Sequence, residues 1–85
     1  MDTIERQVEA VRSREDLAAV VRSLVRQHAD GQGNWENTDL GAYLEALAAW
    51  VEDMDGYFLN RGERTPSQPS WKTIAQILAA ARIYE

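Results

Sequence analysis

Apolar residues recur along this chain at helical intervals. Nowhere do they alternate at period two over a useful length, so the pattern predicts helices and no strand. Ile4, Val8 and Val11 stand at i, i+4 and i+7 and predict a short helix over about 3–11. Leu17, Val20, Val21, Leu24 and Val25 form a clean apolar stripe and predict a second helix over about 14–29. Ser13 stands before it as an N-cap, and Glu15 and Asp16 fill a first turn where negative charge is favoured. Gly31 and Gly33 end that helix and open the loop "ADGQGNWEN".

The third helix is the richest stretch. Asn37 or Thr38 can cap it. Leu40, Leu44, Leu47, Val51 and Met54 follow at steps of four, three, four and three and read as its inner stripe. Tyr43, Trp50 and Tyr57 form a second stripe at steps of seven, and Glu45, Glu52 and Asp53 mark the outer side. The expected span is about 38–55 with Gly56 as a left-handed cap; the alternative is a helix that runs on to Phe58. "NRGERTPSQPS" reads as a loop. Ser70 then caps a last helix over about 71–83, with Trp71, Ile74, Ile77, Leu78, Ala81 and Tyr84 on its apolar side. The expected fold is all-α: a small helical bundle of three main helices plus a short N-terminal one, in a single domain over residues 1–85.

Composition narrows the functional classes. Hydrophobic residues make up 45% of the 85 and charged residues 27%, ordinary proportions for a folded chain with one modest core. The absence of cysteine removes disulfides, thiolate metal sites and cysteine nucleophiles. The start "MDTIERQVEA" lacks an apolar secretory core, and the longest apolar run is Ala46 to Val51. A bilayer span needs about 20 such residues, so a cytoplasmic location and no membrane partner are expected. The net charge of −5 is uneven. Residues 1–28 balance five acids with five arginines, whereas residues 29–64 set eight acids against Arg61 and Arg64. An acidic middle repels nucleic acid and favours a basic partner.

Most candidate sites have a structural reading. Trp71 reads as a core residue, and Trp50 and Trp35 as lids over the core ends. "DMDG" (53–56) and "DGQGNWE" (30–36) faintly resemble calcium loops, but the twelfth loop positions are Arg64 and Gly41 where a bidentate Glu is needed. His28 falls at a helix end that favours a cation. "GQG" (31–33) has neither the helix nor the Lys of a phosphate loop, and "PSQP" (66–69) stiffens the approach to the last helix. No cofactor, metal or catalytic residue is expected. Glu52, Asp53 and Asp55 are the most informative charges. At a helix C-terminus they oppose the dipole by about 0.3–1 kcal/mol each. They are therefore either a solvated face, paired with Arg61 or Arg64, or an acidic docking surface.

"WEN" (35–37), Leu40, "YLEA" (43–46), "AW" (49–50), "DMDGY" (53–57), "SW" (70–71), Ala75, Leu78, "AA" (80–81) and "YE" (84–85) resemble a family of small bacterial domains of unknown function. The resemblance is good over residues 35–85 and looser before them. It implies a stand-alone bacterial domain and carries no activity or site residue. In size, acidity and helical make-up alone the chain is also similar to colicin-type immunity proteins. Their Tyr-Tyr-Pro motif is absent here, where Tyr57-Phe58-Leu59 stands.

The expectation is a non-enzymatic, acidic protein-binding module, in its concrete form immunity- or antitoxin-like, facing a protein with a basic surface. Glu45, Trp50, Glu52, Asp53, Asp55 and Tyr57 are the expected contact residues. The alternative is a homodimer formed through Tyr43, Trp50 and Tyr57; the chain is then a dimer where the first reading has a monomer. A small hydrolase using Asp53 or Glu36 is the least favoured reading.

Overall fold

The computed structural model describes residues 3–31, 33 and 35–84. Asp2, Gln32, Asn34 and Glu85, which enter the sequence patterns above, lie outside the described residues. Four helices follow in order: α1 (Thr3–Glu9), α2 (Arg14–Ala29), α3 (Leu40–Asn60) and α4 (Trp71–Ala80), with no strand among the described residues. No helix among them is long and apolar enough to cross a membrane.

α4 is the hub. It packs against α1, α2 and α3; α1 also meets α2, whereas α3 packs against α4 alone among the helices described. The main core gathers Ile4, Val8 and Val11 from the N-terminal segment, Val20 and Leu24 from α2, and Ala75 and Ala79 from α4. The two alanines let the flanking helices approach α4 closely, and Leu17, Trp35 and Leu78 pack against the edge.

Local chemistry sets most boundaries. The Ser13 hydroxyl accepts from the Asp16 amide at 3.1 Å, and the Asp16 carboxylate accepts from the Arg12 amide at 2.9 Å. Ser13 takes extended backbone to make this cap, so α1 stops at Glu9, short of the expected residue 11, while Val11 stays buried. Ser70 caps α4 in a reciprocal box with Thr73. Asp39, and neither Asn37 nor Thr38, caps α3: its carboxylate accepts from the Ala42 amide at 2.8 Å.

Asn37 has another task. Its side-chain amide donates to the carbonyls of Ala81 (3.0 Å) and Tyr84 (2.8 Å), and the Glu36 and Asn37 backbone amides both donate to the Arg82 carbonyl. This latch satisfies carbonyls that a continuing helix would otherwise use. α4 therefore ends at Ala80, and residues 81–83 form turns.

Three further expectations are corrected. First, α3 does not stop near Asp55; it passes through Gly56 and ends at Asn60, with Gly62 (φ 71°) in the left-handed conformation beyond it. Burial of Phe58 and half-burial of Tyr57 outweigh the roughly 1 kcal/mol that glycine costs inside a helix. Second, α3 is turned relative to the expected orientation. Ala46, Trp50 and Phe58 are buried and Leu47 and Met54 of the expected inner stripe are half-buried, whereas Leu40, Leu44 and Val51 of that stripe face solvent. The aromatic stripe carries more apolar area per residue than the leucine stripe, so it takes the single interface that α3 has. Third, Trp71 is not a core residue. It is 46% exposed at the first turn of α4, beside Val11, Pro69 and Ile74, while Ala75 and Ala79 sit beneath α1 and α2.

Candidate functional site

α3 has an inner and an outer side, and the expected contact residues divide between them. Trp50 is 6% exposed, with its ring 5.1 Å from Tyr57, edge to face. Tyr57 is half-buried; Arg61 donates to its hydroxyl and lies 5.2 Å over its ring. These two residues belong to the inner side. Tyr43, the third aromatic of the stripe, is half-buried too: its ring stacks on Trp35 and its hydroxyl donates to the Leu78 carbonyl at 2.6 Å. Burial raises its pKa.

Behind Trp50 lies a cleft of about 620 Å³ between α1 and α3, with α4 as its floor. Trp50, Tyr57, Gln76, Ala79, Ile83 and Tyr84 line it, together with Glu5, Glu9, Arg61 and Arg82. Glu9 is engaged at the rim, 2.8 Å from the Lys72 ammonium and 2.9 Å from the Arg61 guanidinium. The hydrogen bond from Lys72, then that from Arg61, hold its carboxyl below the usual carboxylate value. Arg82 is buried, with Nε donating to the Ala79 carbonyl and Nη1 to Gln27 Oε1. The same Gln27 oxygen accepts from the Trp35 indole at 2.7 Å. Asp53 and Glu36 are exposed and do not line the cleft.

The outer side of α3 holds Glu45, Glu52 and Asp55, all exposed, and none forms an ion pair among the described residues. Arg61, one of the expected partners for these acids, is bound instead to Glu9 and Glu63. Asp53 stands apart. It follows Glu52 by about 100° around the helix and accepts a hydrogen bond from the Tyr84 hydroxyl. That bond raises the Tyr84 pKa, since ionising the phenol would set two anions together.

Leu40 (72% exposed), Leu44 (53%) and Val51 share the outer side with the three acids. The spacing of these apolar residues predicts an inward position, whereas the structure sets an apolar row beside an acidic one on the outer side. Tyr43, Trp50 and Tyr57, at steps of seven, compete with the leucines for the buried side.

A family model described as a family of unknown function, DUF7660, matches residues 13–85. The chain belongs to this family. The DUF7660 match begins at the Ser13 cap of α2, so it reaches further toward the N-terminus than the resemblance over residues 35–85. It takes in the whole outer side of α3, and it leaves out the α1 residues Glu5 and Glu9 at the cleft. No curated protein and no solved structure matches the chain.

Proposed function

We propose that this chain is a protein-binding module whose contact surface is the outer side of α3. The observation that carries the reading is one helix face on which exposed Leu40, Leu44 and Val51 adjoin Glu45, Glu52 and Asp55. Clustered exposed apolar side chains are costly to leave in water, and a rim of one charge sign selects a partner of the other. The fitting partner presents an apolar row beside a basic row. The anchors are the leucines and Val51, in place of the buried Trp50 and half-buried Tyr57. Asp53 belongs to the Tyr84 contact and contributes to the acidic field alone.

A synthetic amphipathic helix with leucines on one side and lysines and arginines on the other tests this. Titrated against the isotope-labelled full chain, it should shift α3 amides between residues 40 and 55. Changing Glu45, Glu52 and Asp55 to Lys should weaken binding by at least about tenfold, with helix content unchanged. The matching peptide with Glu in place of its basic residues should not bind. Shifts that cluster elsewhere, or equal binding by wild type and variant, would remove the proposal.

A further inference from the structure

We infer that the partner of the α3 face is a second copy of this chain, with α2 of each copy seated on α3 of the other; the inference rests on the reading of that face given above. The partner chemistry the α3 face selects is present on α2. Val25 is 62% exposed and Val21 is exposed one turn before it. Arg22 and Arg26 stand on the adjoining row, exposed. Neither arginine has a carboxylate partner among the described residues; the guanidinium of Arg26 donates only to Ser23 Oγ at 3.0 Å. The one carboxylate on the outer side of α2, Glu15, is taken by Arg14.

Within one chain these two faces do not meet. α2 and α3 each pack on α4 and not on each other. The complementary rows are therefore left for another molecule. Charge decides among the possible pairings of two copies. α3 against α3 would bring two rows of Glu45, Glu52 and Asp55 together, and α2 against α2 would bring together two pairs of arginines. Only α2 against α3 sets Arg22 and Arg26 beside Glu45 and Glu52 while covering Val21, Val25, Leu44 and Val51. In the two-fold arrangement inferred, that contact is made twice, residue i meeting j and j meeting i; masses rising beyond two chains would mean head-to-tail stacking and would overturn it. The balanced charge of residues 1–28 matters here: a contact through α2 avoids placing one acidic block on another.

Sedimentation equilibrium of the full chain from micromolar to millimolar concentration is the test. Wild type should rise from one chain mass toward two. R22E/R26E and E45R/E52R should each remain monomeric, since each alone presents like-charged faces. Mixed in equal amounts they should recover a dimer, because every face then meets its opposite. Circular dichroism checks that both variants fold; if a double reversal unfolds the chain, R26Q and E52Q should each weaken the dimer several-fold. A wild type that stays monomeric at millimolar concentration would overturn the inference. So would variants that associate as strongly as wild type, or folded variants whose mixture does not associate. A monomeric wild type that still binds the basic peptide on α3 would leave the binding-module reading standing, whereas loss of peptide binding as well would end both.

Discussion

Trp50 and Leu44 test the orientation of α3 at the scale of single residues. Truncating buried Trp50 to Ala is expected to destabilise the chain by about 3–5 kcal/mol, a cavity cost. Leu44→Ala, on an exposed side chain, should stay within about 0.5 kcal/mol. Urea unfolding of both variants measures the difference, and reversed magnitudes would show that the leucine stripe is the buried one. Asn37 is a second single-residue determinant. Its amide serves two carbonyls of the C-terminal turn, so Asn37→Ala should cost about 1–3 kcal/mol. The loss should be accompanied by faster amide exchange around Ala81–Tyr84.

The length of α3 is decided at the scale of the element, and two glycines report on it. A methyl group at Gly56 meets nothing within 4 Å, so Gly56→Ala should stabilise the chain by about 0.5–1 kcal/mol if the helix passes through it. Gly62 holds a left-handed φ of 71°, so Gly62→Ala should destabilise by about 1 kcal/mol despite equally open space. A helix that ended at Gly56 with that glycine as its left-handed cap would instead make Gly56→Ala destabilising. Elements are also joined by charge. Glu9 of α1 binds Lys72 of α4 and Arg61 just past α3. Its folded pKa lies below the ordinary value of 4.5, so its contribution is full above that value and is lost as pH falls through the folded pKa. The Glu9 carboxylate is about one-third exposed, so solvent screens the pair and the contribution is less than about 1 kcal/mol. Glu9→Gln should lower stability at about pH 6, and the difference from wild type should vanish as pH falls below the folded pKa of Glu9, read from urea midpoints.

For the whole molecule, the consequence of the packing is unequal stability. α1, α2 and α4 share one core, while α3 holds on through its single interface with α4, the Trp35–Tyr43 stack and the Arg61–Glu9 bridge. Amides of α3 are therefore expected to exchange through a lower-energy opening than those of α2 and α4. In the dimer inferred above, α2 of the second copy covers the outer side of α3. Protection of α3 should then rise with protein concentration, and the E45R/E52R variant should lose that dependence. Equal protection in all three long helices at low concentration would contradict this account of the packing.

The helical class, the four segments and two of the caps follow from local pattern, because each depends on neighbours within a turn. Ser13 and Ser70 were legible since a hydroxyl needs only the amide three residues on. The acidity of Glu45, Glu52 and Asp55 and their exposure were legible too, since charge without a partner stays in water. Which of two apolar stripes on α3 turns inward is settled by packing between distant segments. Both stripes have helical spacing, and periodicity alone does not rank them; the choice lies in which side chains are buried where α3 packs on α4, its one helix neighbour among those described. The Asp39 cap is as local as the serine caps, accepting from the Ala42 amide three residues on, but it stands in a row of three adjacent capping residues; the latch at Asn37 and the run through Gly56 do share the tertiary origin. Both are fixed by residues far away in sequence, at Ala81 and Tyr84 or along α4, and a local pattern carries no information about a contact that only folding creates.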